Sequence, residues 1–296
     1  RYVVYVDSGS DDGSVEMTSS LGIATVRLDP RTPFTAARAR NEGVRRLREI
    51  CPIIEYVLFV DGDCEVVDGW LKAASDFLHQ HADCAAVCGR RRERYPEKSV
   101  YNMLCDLEWD TPVGETKGCG GDVLMRAQAL HQVGGYRADL ICGEEPELCV
   151  RLRAAGWRIW RLGVDMTLHD AAMYRFHQWW RRALRGGYGF ALGASLHGAP
   201  PERHWVRESR RAWIWGLCIP TAALAAIVAA GWWGVFVFCV YPLQVARLAL
   251  RGTRSARENW WGAAALVLGK FPEMMGQVKF AFDRLRQIQP RLIEYK

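Results

Sequence analysis

The stretch Leu58 to Glu65, LFVDGDCE, constrains this chain more than any other. An apolar run, Tyr56 to Val60, stops at Asp61-Gly62-Asp63. Unbroken apolar runs of this length are what strands covered on both faces look like. Such a strand ends by projecting two carboxylates from the carboxyl edge of a sheet, where open α/β sheets bind ligands. Two acids there suit a hard divalent cation, which in turn holds phosphate oxygens. Taken alone, Asp-Gly-Asp is more often a turn, since all three residues favour turns.

Strand and helix signals alternate around this stretch. A first strand, Tyr2 to Val6, ends in the polar loop Asp7 to Ser14, where an α/β unit contacts a nucleotide. Its glycines are not spaced as GxGxxG, so no dinucleotide fingerprint is present. A short strand at Ala24–Val26 and a basic amphipathic helix over Thr35–Glu49 follow. Beyond the acids come a helix near Gly69–His79 and a strand near Ala85–Cys88. This pitch predicts an α/β fold with a mostly parallel sheet. Residues 90–118 mix charge, aromatics and proline without periodicity and read as a long surface excursion of the kind that covers substrates. Gly120-Gly121-Asp122 precedes a helix over Ala127–Val133, closed by Gly134-Gly135-Tyr136. An acidic knot, Gly143 to Leu148, opens a helix over Leu148–Ala155, and the helix dipole alone accounts for acids there. His169 is a further candidate metal ligand, although a lone histidine is more often packed or solvated.

Charge is unevenly divided. Residues 1–150 carry 17 Lys/Arg against 25 Asp/Glu, and residues 151–296 carry 22 against 8. The acidic half argues against a nucleic-acid surface, and the basic half holds the most apolar stretch, which points to an anionic membrane face. Ala212–Ala230 has no charge in 19 residues, enough to span a bilayer. Trp232–Ala246 is a second apolar run. Arginines flank both outer ends, so a hairpin with both ends cytoplasmic is predicted. A buried hairpin of a soluble domain is the alternative. Phe176 to Arg185 carries aromatics and arginines at helical spacing and suits a membrane surface, as does Trp260–Leu268, too short to span. The ten cysteines show no CxxC or zinc-type spacing and read as reduced thiols. The chain begins at Arg1 directly before a strand, as a fragment does, so a missing leader excludes nothing.

In order and spacing, VDSGSDDGS (Val6–Ser14), ARNEG (Ala39–Gly43), VDGD (Val60–Asp63), GGD (Gly120–Asp122), GGY (Gly134–Tyr136) and GEEPELCVRL (Gly143–Leu152) form one series. Together they resemble the family 2 glycosyltransferases, inverting enzymes of GT-A fold that use nucleotide-diphosphate sugars. The resemblance covers nearly all of residues 1–185, and Leu292–Lys296 looks like the natural terminus of membrane-attached members.

The resemblance implies that Asp7 contacts the nucleotide base, with Arg40 nearby. Asp61 and Asp63 look like the DxD pair for the donor and a Mg2+ or Mn2+ ion, Asp63 being the sharper choice for the metal. Gly121 and Asp122 fall in the donor site, and Glu145 falls at the general base. Gln178 and Arg181 match the QxxR part of a QxxRW motif. There are departures: Ser8 replaces a second Asp, Glu145 replaces the usual Asp, and Arg182 stands where the family has Trp. The family's first strand also precedes anything present here.

The implied organisation is a GT-A catalytic domain (Rossmann-like) over residues 1–168 and interfacial helices over 169–211. A transmembrane hairpin over 212–250 and an interfacial C-terminal segment over 251–296 complete it. The implied activity is transfer of a sugar from a nucleotide-diphosphate sugar donor to a lipid-linked or glycan acceptor. The setting is the cytoplasmic face of the inner (plasma) membrane, with membrane lipids as partners and no nucleic acid. A processive polysaccharide synthase, which needs more spans to line a channel, and a catalytically silent scaffold are the alternatives.

Overall fold

The computed structural model describes residues 2–288, so the Leu292–Lys296 expectation lies outside the described residues. The elements run β1 (Val4–Asp7), α1 (Ser14–Ser20), β2 (Ala24–Arg27), α2 (Ala36–Ile50), β3 (Tyr56–Phe59), β4 (Cys64–Val66), α3 (Trp70–Gln80) and β5 (Cys84–Glu93). Next come α4 (Val100–Trp109), β6 (Gly114–Glu115), β7 (Val123–Arg126), α5 (Ala127–Gln132), α6 (Glu144–Ala154) and β8 (Arg158–His169). The helices α7 (Phe176–His197), α8 (Val206–Trp213), α9 (Ile219–Ala230), α10 (Val240–Leu250), α11 (Ala256–Leu268) and α12 (Lys270–Leu285) close the chain. The described residues form two units: 2–92 with 111–169, and 93–110 with 170–288.

The first unit is the expected α/β layering. β1 and β2 pair in parallel, as a strand–helix–strand crossover requires. The larger sheet, ordered β3-β7-β5-β8-β4, is more mixed than the alternation predicts. β3–β7, β5–β7, β4–β8 and β6–β8 all run antiparallel. β7 lies between β3 and β5 and runs against both, while the short pieces β4 and β6 pair against β8. β3 is an edge strand whose inner face, Val57 and Phe59, is buried while Tyr56 and Leu58 are half-buried. A cavity of about 360 Å3, lined by Val4 to Val6 of β1 and by Val57, Phe59 and Asp61, opens beside this edge. The core beneath gathers Trp70, Ala74 and Leu78 of α3, Val87 of β5, Leu124 of β7 and Leu148 and Leu152 of α6.

Residues 93–110 are not a loose excursion. Ser99 caps α4 by accepting from the Asn102 backbone N–H at 2.9 Å, and its own hydroxyl donates to the Met173 carbonyl. The fully buried Asn102 donates to Glu93 Oε1 at 3.1 Å and accepts from the Met173 N–H at 3.0 Å. Polar groups that read as solvent-facing satisfy one another inside this unit, which is why 93–110 travels with the C-terminal helices.

In the second unit α7 and α12 touch backbone to backbone. Gly187 lies against the Glu273 main chain and Gly276 against the Leu184 carbonyl, so no side chain fits at either glycine. The region Val206–Leu250 is helical throughout and strongly apolar, with only 11 % of its most apolar window buried. It is not one straight rod. The chain reverses at Gly231, whose φ of 64° a side chain would resist, and Gly234 then lies against the backbone of Ala226 and Ile227. The Tyr241 hydroxyl closes the pair by donating to the Trp215 carbonyl at 2.5 Å. A π-turn, Ile214–Cys218, precedes α9, and Pro272 sits in the first turn of α12, where proline is tolerated.

Candidate active site

β3 ends at the acidic turn, and Asp122 fixes how it ends. Asp122 is fully buried and accepts from the Asp61 backbone N–H at 2.8 Å and from the Thr167 hydroxyl at 2.7 Å. Arg91 pairs with it at 2.8 Å and with Asp61 Oδ2 at 3.2 Å. Buried among these partners, Asp122 braces the turn from behind.

Asp61 is held from two sides. Arg40 donates to its Oδ1 at 2.7 Å and, through the other amino group, to Glu144 Oε1 at 2.8 Å. Burial pushes the Asp61 carboxyl up, but the Arg40 and Arg91 charges outweigh it and hold the group below the usual carboxylate range. Gly121 borders this pair: a Cβ there would come within 2.6 Å of Asp61 Oδ2 and 2.8 Å of Arg40 Nη2. The ARNEG segment is tied to the GGY segment by a two-bond bracket. Asn41 donates to the Tyr136 carbonyl at 2.7 Å and accepts from the Tyr136 N–H at 2.9 Å.

Asp63 points elsewhere. The β4–β8 ladder sets Cys64 opposite His169, and this register brings His169 Nε2 to 3.3 Å from Asp63 Oδ2. Asp63 is 40 % exposed, whereas His169 is nearly buried. Asp63, Cys64 and His169 offer ligand atoms within 4.8 Å of one another. A carboxylate with an imidazole fits a first-row ion such as Mn2+, while Mg2+ favours all-oxygen sets. Asp61, spent on two arginines, is the weaker of the two acids for a metal.

Asp7 ends β1 and folds its loop around itself, accepting from Gly9 N–H at 3.1 Å and Ser10 N–H at 3.0 Å. Desolvation raises its carboxyl, yet the Ser10 hydroxyl and these backbone donors prevail and keep it below its ordinary value.

The acidic knot starts α6 at Glu144, earlier than the predicted Leu148, because Gly143 at φ 74° turns the chain into the helix there. Its three acids have three different partners. Glu144 meets Arg40, Glu147 meets Arg151 at 2.7 Å, and Glu145 turns inward. Glu145 Oε1 accepts from the Cys119 backbone N–H at 2.6 Å and faces the Cys149 thiol at 2.9 Å.

Gln178 and Arg181 lie in the second unit. Gln178 Oε1 accepts from the Tyr174 and Arg175 N–H groups at 2.9 and 3.0 Å, which caps α7, and Arg181 is exposed on that helix. Arg182 makes a forked pair with Glu108 at 2.6 and 2.8 Å. The residues that sequence reasoning missed are Arg91, Glu144, Cys119 and Cys149. For Arg91 a signal existed: continuing the alternation of β5 past Cys88 turns it to the same side as Gly89.

Residues 2–117 match the family model described as Glycosyl transferase family 2. Residues 2–117 are thus similar to the family 2 glycosyl transferases. Among curated relatives, the chain is 28 % identical to the succinoglycan biosynthesis protein ExoA of Rhizobium meliloti (strain 1021). That match takes in 53 % of this chain and 50 % of the relative, so the chain spans about half the length of the protein it matches. Its fold resembles the mannosyltransferase PcManGT of Pyrobaculum calidifontis, solved with GDP-Man and Mn2+, at TM-score 0.61 and 22 % identity. That alignment covers 96 % of this chain and 78 % of the other. Residues 1–349 of TarS from S. aureus align at TM-score 0.50 and 15 % identity, over 90 % and 80 % of the two chains. These likenesses establish the GT-A fold.

Proposed function

We propose that this chain transfers a sugar from a nucleotide-diphosphate sugar to a hydroxyl of a lipid-linked or glycan acceptor, inverting the anomeric centre. The observation that carries the reading is Arg40, whose guanidinium joins Asp61 of the DxD turn to Glu144, the neighbour of Glu145. The shared guanidinium ties the turn that would hold the donor to the helix that carries the proposed base, which supports the reading.

Asp63 and His169 would hold the divalent cation, Mn2+ by ligand type, which supplies positive charge to the departing diphosphate. Asp7 would receive the nucleotide base, and Gly121 and Asp122 would shape the donor pocket. Glu145 takes the proton of the acceptor hydroxyl as that oxygen attacks opposite the leaving group. One displacement inverts the centre. The apolar hairpin 212–250, with Leu224, Val228 and Leu243 exposed and Trp232 and Trp233 stacked at its bend, supports anchoring in the inner membrane. Arginines at both outer ends support a cytoplasmic active site.

The test is calorimetry and sugar transfer with the full-length protein in detergent and a panel of nucleotide-sugars. Nucleoside diphosphate should bind only with Mn2+, binding should vanish in Asp63→Ala, and Glu145→Gln should bind normally but transfer about 10²–10⁴-fold more slowly. Unchanged transfer in both variants overturns the reading.

A further inference from the structure

Glu145 sits in sulfur, which proton abstraction does not require. Its Oε1 faces the Cys119 thiol at 3.1 Å and the Cys149 thiol at 2.9 Å, and the two sulfurs are 3.6 Å apart. Cys149 is one helical turn beyond Glu145 on α6, and Cys119 arrives from the segment before β7, so two elements converge on one oxygen. The three residues are 7 %, 8 % and 0 % exposed in chain order, in a place where carbon packing would have been the ordinary solution.

The triangle has the dimensions of a metal site. A tetrahedral Zn2+ with bonds of about 2.3 Å to sulfur and about 2.0 Å to oxygen spans roughly 3.8 Å between two sulfurs and roughly 3.5 Å between sulfur and oxygen. Here the corresponding edges are 3.6, 3.1 and 2.9 Å. The ligand atoms therefore need to part by only a few tenths of an ångström for an ion to replace the two thiol protons.

We infer that Cys119, Cys149 and Glu145 form a binding site for a thiophilic divalent ion, Zn2+ or its like. Two thiolates and one carboxylate are a soft set that discriminates against Mg2+ and Mn2+, so this site and the one at Asp63 and His169 take different ions. The exchange balances: two thiols and one M2+ give two metal–thiolate bonds and two released protons. A consequence rests on the proposed role of Glu145: with the ion in place its carboxylate no longer reaches an acceptor hydroxyl, and a soft ion arrests transfer while Mn2+ supports it.

The test uses chelator-treated, reduced full-length protein with Mn2+ saturating the other site. Titrated Co2+ should give a thiolate-to-cobalt charge-transfer band at one equivalent with release of two protons per ion, and Zn2+ should then bleach the band with no further proton release. Cys149→Ser should weaken Co2+ binding more than about 100-fold, since loss of an outer-shell partner alone costs about 10–100-fold. Asp63→Ala should keep the band. Circular dichroism confirms that each variant is folded, and proton release by the unmodified protein needs no variant. No charge-transfer band, or no proton release when Co2+ or Zn2+ is added to the metal-free protein, overturns the site. Neither readout involves sugar, so their failure leaves the proposed transfer standing, and a failed transfer assay leaves the site standing.

Discussion

Arg40 and Asp61 meet at 2.7 Å across 21 residues of chain, and the same guanidinium holds Glu144, 104 residues away. Arg40 is 11 % exposed, Asp61 34 % and Glu144 13 %. Arg40→Ala leaves two carboxylates facing each other with their shared cation gone. Breaking a buried pair by removing one partner costs about 3–5 kcal/mol, and water reaching Asp61 lowers this to roughly 2 kcal/mol. Arg40→Lys should fall between, because an ammonium cannot fork to two acids. Urea midpoints measure both.

Asp7 sets an acid-side dependence. Its folded carboxyl titrates below the unfolded value of about 3.9, so its contribution to stability is complete above that pH and is lost as pH falls through the folded value. The stability difference between the natural protein and Asp7→Asn should be constant near neutrality and shrink as pH drops below about 4. Urea unfolding at a series of pH values checks it. A difference that grows toward acid contradicts the assignment.

Gly121→Ala places a methyl against Asp61 Oδ2 and Arg40 Nη2. Both are the far ends of side chains, so the fold should survive with a loss of about 1 kcal/mol, the low end of overpacking costs. The ion pair must swing aside, and displacement of that order in a site costs on the order of 10–100-fold in kcat/KM. Thermal midpoint and steady-state kinetics separate the two effects.

Gly276→Val tests the close approach of α7 and α12. The new side chain would collide with the Leu184 carbonyl and the Tyr188 N, which are backbone and cannot step aside. The expected loss is about 3 kcal/mol or more, at the upper end of overpacking. It should appear as a lowered thermal midpoint in detergent.

Much of this architecture was legible from local pattern. The helix expected over Thr35–Glu49 runs Ala36–Ile50, with Thr35 capping it through the Arg38 N–H, and the run at Ala212–Ala230 leads into a reversal at Gly231. Capping, apolar period and turn glycines act over a few residues, so they leave marks in the sequence. Strand direction was not legible, because β4 and β6 are too short to show any period and find their partner only through β8. Residues 93–110 misled for a related reason: Glu93 and Asn102 look solvated in sequence and are buried against each other.

The site divides in the same way. Sequence by itself determined which acids are present and in what order, from Asp7 through Asp61 and Asp63 to Glu145, and that two apolar runs lie between arginines. Only the tertiary structure decided what each acid faces. Asp61 faces two arginines, Asp63 a histidine, Asp122 the backbone of the turn, and Glu145 two thiols. The physical reason is that a charge or thiol buried by folding must find its partner through space, and those partners lie up to 106 positions apart, as Asp63 and His169 do. No periodicity in a chain records a contact of that range.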